Sequence, residues 1–394
     1  MNKKTLLLNL FLTLGISTGA IADQNISVQN ISASAAVSNT VSQPINYVEI
    51  DPQAYASNLK HIREMVGPKV KICAVMKSDA YGHGIANLID ETIKANVDYI
   101  AAIDNSEFRI IAPKIKASGK NIHLIRIAPV TKPELVEAIT NDWNVEEVAG
   151  SVEEAEMLSN TAAELSNKLH KNITIGDVSD MKKIIQLPHL KLVGVMSHLA
   201  KDYQAPPVDS DSTKAQLAIF ESAVKQLHLE SDVIQHIANS GAAAKFPWAR
   251  LGMVRTGSLM YGEDLDDYQD PHHVLKPVMT SFKSKVAIIE RNVPPHSPIN
   301  YDGLQYTRSD KPSTTATLRV GYDFGFPQYA FKESADVLIR GQRFPVIGKT
   351  SMNMVVVDIT DEDPRNKVQL DDDVVLVGKQ GKQQITWDEF ASRN

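Results

Sequence analysis

The sequence predicts an α/β protein: a TIM-type (β/α)8 barrel followed by a mainly antiparallel β domain. Three observations predict it. At 394 residues the chain is longer than one ordinary core accommodates, which favours two domains. Short apolar runs then alternate with helical patterns from Tyr47 to about residue 275, the texture of a repeated βα unit. Beyond about residue 276 the helical period gives way to strands separated by turn residues.

The N-terminus stands apart. Lys3 and Lys4 precede an apolar run from Leu6 to Ile16, and Ala20-Ile21-Ala22 offers a small-residue cleavage site. Residues 1–22 therefore read as a secretory signal peptide, too short to span a bilayer. Its removal takes away two lysines and no acid, shifting the formal charge from −6 to −8. Export to a periplasm is the expected localisation, with no membrane segment after processing. Residues 23–46, rich in Ser, Asn, Gln and Ala, read as a flexible linker.

From there the runs are KICAVMK (71–77), DYIAAID (98–104), IHLIRIA (122–128), VEEVAG (145–150), NITI (172–175), LKLVGVMSHL (190–199), VIQHIANS (233–240) and MVRTGSLMYG (253–262). Helical patterns at 86–95, 152–169 and 214–228 lie between them. A doubly wound open sheet competes with the barrel, but no G-x-G-x-x-G follows the first run. Residues 47–275 are thus assigned to the barrel and 276–394 to the β domain.

Composition narrows the function. A hydrophobic content of 43% with 22% charged residues describes a globular chain, and net acidity gives no footprint for nucleic acid. Cys73, the only cysteine, has no intramolecular partner and is predicted to be buried and reduced.

Catalytic groups of a βα barrel sit at the C-terminal ends of its strands. Those ends carry Lys77, His198, Asn239 and Ser240, and the last run holds Arg255, Gly257 and Ser258. His236 lies just inside the seventh run. Ser240 and the amides at Gly257 and Ser258 suit an anion, since glycine allows close backbone approach. Arg255 inside an apolar strand needs partners, because guanidinium keeps its charge; a structural ion pair and a ligand contact both answer that need. A reactive lysine, a phosphate cradle and an embedded arginine together point to pyridoxal phosphate, with other phosphate-binding barrel enzymes as the alternative.

The stretch AVMKSDAYGHG (74–84) resembles the cofactor-lysine motif of the alanine racemase family. The resemblance continues in order through MSHLA (196–200), HIANSGAA (236–243), MVRTGSLMYG, INYDG (299–303), VGY (320–322) and GKTSMNMVVVD (348–358). SMN, with the signal segment, is similar to the exported broad-specificity amino-acid racemases of that family. The resemblance implies a homodimer that racemises free amino acids with pyridoxal 5'-phosphate. It implies Lys77 as the residue bonded to the cofactor and as one base, and Tyr301, reaching in from the partner subunit, as the second. Arg255 would face the pyridine nitrogen, steadied by His236, with His198 against the ring. Tyr81, Ser240 and the Gly257 and Ser258 amides would hold the phosphate beside Asn239. Met352 would position the substrate carboxylate and Tyr322 would line the entrance. His83 is left as a surface histidine.

Four departures accompany the resemblance. The arginine that follows the fifth barrel strand in the family, and grips the substrate carboxylate, has no counterpart in NITIGDVSDMKK; if substrate nonetheless binds tightly, Arg126 at the end of the third run is the first candidate for that role. The β domain reads as truncated at Asn394, ahead of a further phosphate-binding tyrosine. Phe324 and Arg319 replace an aspartate and a proline. Tyr99 stands where exported relatives place a partner for Cys73. A catalytically impaired cofactor-binding homologue and a non-enzymatic periplasmic binding protein are the alternative readings.

Overall fold

The computed structural model describes residues 44–166, 170–176, 181–200, 210–262, 275–301, 307–333 and 335–392. Residues 1–22, read from the sequence as a signal peptide, and nearly all of those read as a linker, together with Asp302 and Gly303 of INYDG and residues 177–180 after the fifth barrel strand, lie outside them. Among the described residues no helix is long and apolar enough to cross a membrane.

Among the described residues, sixteen strands are numbered in chain order. Strand β1 is Tyr47–Ile50, and β2 to β9 are Lys71–Val75, Tyr99–Ala102, His123–Arg126, Val145–Ala149, Lys171–Ile175, Leu190–Met196, Ile234–His236 and Met253–Thr256. Strands β2 to β9 form one parallel sheet in which β2 to β8 pair in chain order and β9 pairs with β2. The circle closes where Gly252 N–H donates to Gln235 O at 3.0 Å and Arg255 N–H to Ala238 O at 2.9 Å. All eight predicted runs are strands of this barrel.

The helices between them begin where the sequence supplies caps. Asp51 accepts from the amides of Gln53 and Ala54, with Pro52 as the first residue of the helix Pro52–Val66, the position where a missing N–H costs nothing. Asp104 caps Asn105–Ser118 and Ser151 caps Val152–Leu165 in the same way. Their apolar faces close over the outside of the sheet, where Leu59, Ile62, Leu88, Phe108 and Ile111 are buried with Val254 and Ile100. Successive strand residues face opposite ways, so a smaller set fills the barrel interior: Cys73, Val75, Tyr99, Ala101, Ile125 and Met253.

The chain divides into two compact units, Glu49–Thr280 and Ser281–Asn394 with the segment up to Val48. Strand β1, assigned to the barrel in the sequence, belongs instead to the second sheet, next to β10. A single short strand carries no signal for which long-range neighbour it will pair with. Strands β10 to β16 are Met279–Val293, Ser313–Leu318, Asp336–Ile339, Gln342–Ile347, Val355–Asp358, Asp373–Gln380 and Gln383–Ile385. They pair antiparallel around a core of Val286, Leu318, Val337, Phe344, Val357 and Leu376.

Candidate active site

Lys77 leaves the C-terminal end of β2 on an unusual piece of backbone. Ser78, Asp79, Ala80 and Tyr81 all have positive φ, between 52° and 56°. Each left-handed non-glycine residue costs roughly 1–2 kcal/mol, so a run of four must be held from outside. Asp79 N–H donates to Glu107 Oε1 at 2.9 Å, while Glu107 Oε2 takes Ile103 N–H at 2.8 Å. Asp79 Oδ1 in turn accepts from Ile85 N–H at 2.7 Å. Inside the turn, Ala80 N–H reaches Met76 O and Gly82 N–H reaches Ser78 O. His83, read as a surface residue, is buried: Nδ1 lies 2.9 Å from Ala80 O and the ring stacks on Tyr261. Tyr261 anchors the strand end by donating to Val75 O at 3.0 Å.

This turn puts Lys77 and Tyr81 side by side, the ammonium 6.0 Å from the ring centroid. The Tyr81 hydroxyl lies against Gly257. A Cβ at Gly257 would come within 2.3 Å of that oxygen, so only glycine leaves it in place. Ser240 Oγ accepts from Gly257 N–H at 2.9 Å and from Leu259 N–H at 3.4 Å. Ser258, also buried, opens the short helix Ser258–Tyr261. Asn239 caps the helix Ser240–Lys245 through Ala242 N–H, and its Nδ2 lies 3.5 Å from His198 Nε2.

Arg255 is buried on β9. Its Nη1 lies 2.9 Å from His236 Nδ1, and its Nη2 donates to Ser197 O at 2.8 Å with His198 Nδ1 at 3.4 Å. Burial, reinforced by the neighbouring guanidinium, holds the His236 pKa well below the ordinary imidazole value, so the ring accepts from Arg255 in its neutral form. The predicted barrel residues Lys77, Tyr81, His198, His236, Asn239, Ser240, Arg255, Gly257 and Ser258 therefore lie on the C-terminal ends of β2, β7, β8 and β9 or on the loops that follow them.

Tyr301, Tyr322 and Met352 belong to the second unit, and all three side chains are exposed there. Tyr322 N–H donates to Ser351 O and Asp323 N–H to Met352 O, which brings Tyr322 and Met352 onto adjoining turns. Gly321 permits that approach, since a Cβ would stand 2.1 Å from Met352 O. Asn300, next to Tyr301, donates to Lys349 O at 2.9 Å.

Arg126 does not take the role of carboxylate clamp. Its guanidinium is wholly enclosed, bonded to Glu147 Oε2 at 2.8 Å and Asn105 Oδ1 at 2.7 Å and packed over Phe108. The cause is the acidic pair on β5, whose alternation turns Glu147 outward toward Arg126 and Lys171. Sequence reasoning assigned no role to Glu107 or Tyr261, whose bonds to Asp79 N–H and Val75 O join positions far apart in the chain.

A lysine, hydroxyl and amide donors around a closely approached glycine, and an arginine held by a neutral histidine give this end of the βα barrel the chemistry to hold an anionic group near an amine. Residues 50–264 match the family model "Alanine racemase, N-terminal domain" and residues 279–394 match "Alanine racemase, C-terminal domain". The chain belongs to the alanine racemase family and is an amino-acid racemase. It is 34% identical over 368 residues to a lysine racemase of Proteus mirabilis, covering 88% of this chain and 84% of that one. It is 31% identical to a broad specificity amino-acid racemase of Aeromonas hydrophila, covering 98% and 93%. The solved alanine racemase of Clostridium difficile 630 superposes with a TM-score of 0.74 at 25% identity, covering 89% of this chain and 90% of that one.

Proposed function

We propose that this racemase interconverts the L and D forms of free amino acids with pyridoxal phosphate, using Lys77 and Tyr301 as its two bases. The observation that carries the reading is the left-handed turn that places Lys77 beside Tyr81 while the Tyr81 hydroxyl rests on Gly257. The donor set fits the cofactor: a primary amine, hydroxyls from Tyr81 and Ser240 with the Gly257 and Ser258 amides for the phosphate, and Arg255 for the ring nitrogen. Bound there, pyridoxal phosphate supplies the electron sink that acidifies the substrate α-hydrogen. Lys77 accepts or returns the proton at the α-carbon on one face, and Tyr301 does so on the other, since inversion requires an acid and a base on opposite sides. Arg255, which stays protonated, donates to the ring nitrogen and leaves it without a proton of its own, limiting side reactions of the electron sink. The family's shared-site arrangement supports a homodimer in which Tyr301 serves the partner's site, and the N-terminal segment supports a periplasmic location.

A second reading rests on the enclosure of Arg126. With that cation committed to Glu147, carboxylate binding falls to the backbone near Met352, and the chain is a racemase of weak substrate affinity. One experiment addresses both. Purified protein loaded with pyridoxal phosphate is assayed for D-product from L-alanine, serine, lysine, arginine and methionine, alongside Lys77→Ala. Turnover at high KM that vanishes in Lys77→Ala supports the proposal with its weak-affinity form; turnover at low KM removes the second reading. Retention of both borohydride-fixed cofactor and turnover in Lys77→Ala would reject Lys77 as the reacting amine.

A further inference from the structure

The four residues after Lys77, Ser78 to Tyr81, all lie in the left-handed region. None is a glycine, the residue that enters it freely. Bonds within the turn, from Ala80 N–H to Met76 O and from Gly82 N–H to Ser78 O, have the spacing of a right-handed helix too, so they do not choose the hand. That choice comes from outside, from Glu107. Asp79 N–H is one of the first-turn amides that a helix leaves without an internal acceptor. Glu107 Oε1 accepts it at 2.9 Å across 28 positions of chain. The other oxygen, Oε2, accepts Ile103 N–H at 2.8 Å, just beyond β3. The carboxyl cannot drift toward either donor alone, because the residue is buried and its own N–H is tied to Asp104 Oδ1 at 3.1 Å. Asp79 is gripped on its side chain as well, where Oδ1 accepts Ile85 N–H at 2.7 Å. One buried carboxyl thus joins the loops that follow β2 and β3.

We propose that Glu107 is a positioning residue for Lys77: by holding Asp79 N–H it keeps the turn left-handed and so aims the lysine amine. The cost of one left-handed residue is similar to the strength of one hydrogen bond to a charged group, so losing that bond lets one residue of the run relax. A turn relaxed at one residue has mixed hand. Lys77 and Tyr81, now side by side with the ammonium 6.0 Å from the ring centroid, would then no longer share a face. For its effect on racemisation the inference rests on the proposed role of Lys77; for the aim of the amine it does not.

The test uses the full-length protein without added cofactor, as wild type, Glu107→Gln, Ser78→Gly and the double variant. Each is reductively methylated with 13C-formaldehyde, and the Lys77 methyl signal is the one absent in Lys77→Arg. The wild type is expected to give a single Lys77 signal, shifted by the Tyr81 ring away from those of the exposed lysines. Glu107→Gln, which turns an amide N–H₂ toward one of the two backbone donors, moves that signal in among them. It also speeds exchange of the Asp79 amide by about tenfold, the loss of one charged hydrogen bond. Ser78→Gly removes the left-handed cost at one position; alone it leaves the signal in place, and in the double variant it brings the signal back. In enzyme loaded with pyridoxal phosphate, Glu107→Gln lowers kcat by about tenfold at little-changed KM, and Ser78→Gly recovers it. Should Glu107→Gln fail to fold, Glu107→Asp, one methylene too short to span both donors, is read in the same way. A Lys77 signal that stays in place in Glu107→Gln, or one that moves and is not recovered by Ser78→Gly, would overturn the inference and leave Glu107 as a structural clasp. If the methyl signals behave as expected while borohydride fixes no cofactor on Lys77, the positioning role stands and the cofactor reading fails.

Discussion

Arg126 Nε donates to Glu147 Oε2 at 2.8 Å, and neither side chain reaches solvent. A guanidinium closed in this way is part of the wall between barrel and helices rather than a ligand for substrate. Removing one partner of a buried pair leaves an uncompensated charge and costs roughly 3–5 kcal/mol. Arg126→Met is therefore expected to lower unfolding free energy by about that much in a urea titration, while the KM of the surviving folded fraction is unchanged.

The vacated role suggests an addition. An arginine introduced between Thr174 and Gly176 is expected to raise kcat/KM for amino acids by about ten- to a hundredfold, the value of a charge-assisted hydrogen bond. The corresponding amino-acid amides, which lack the carboxylate charge, should gain far less.

Gly257→Ala tests the phosphate cradle. Its methyl would stand 2.3 Å from the Tyr81 oxygen, and the ring must swing away. Fluorescence titration with pyridoxal phosphate should show affinity reduced by about tenfold or more, the value of a hydrogen bond to a charged group. Tyr81→Phe should show a comparable loss, and the double variant little beyond either single one.

Glu107→Gln replaces one of the two oxygens that receive Asp79 N–H and Ile103 N–H with an amide nitrogen, a donor where an acceptor is needed. The cost is about 1–3 kcal/mol. Hydrogen exchange should localise it, with the Asp79 amide opening faster than the neighbouring helix Ile85–Lys94.

For Glu146 the sign of the pH dependence is fixed. Burial lifts its folded pKa to about 7, above the ordinary glutamate value of 4.5, so the folded state binds more protons between those limits. Stability is then greatest at the acidic end of that window and falls as pH rises through it, by roughly 3 kcal/mol in all. Glu146→Gln should lack that decline and exceed the wild type in stability above neutrality, as read from urea midpoints at several pH values.

Much of this was legible in the chain order. Eight apolar runs ending in Lys77, His198, Asn239-Ser240 and Gly257-Ser258 follow from period and from the rule that barrel sites sit at strand ends. A cation inside an apolar strand signalled that Arg255 needs a buried partner, and the family resemblance named His236 as that partner. What was not legible depends on distance in sequence. The left-handed run at 78–81 contains no glycine and is held by Glu107 from another helix. Glu146 and Glu147 look like one acidic patch, yet alternation sends one inward to Thr174 and the other outward to Arg126. Arg126 was misread because its partner lies on the next strand, and β1 because its neighbour, β10, lies more than two hundred residues on.

The pairing of Cys73 with Tyr99 across β2 and β3 has a bearing on biogenesis. Burial pushes the Cys73 thiol up to about 12, so almost none of it is thiolate, the form that attacks a disulfide. With a single cysteine in 394 residues and a tyrosine beside it, the chain offers thiol oxidases no substrate and thioredoxins nothing to reduce. It reaches the same covalent state whether it matures in an oxidising or a reducing environment.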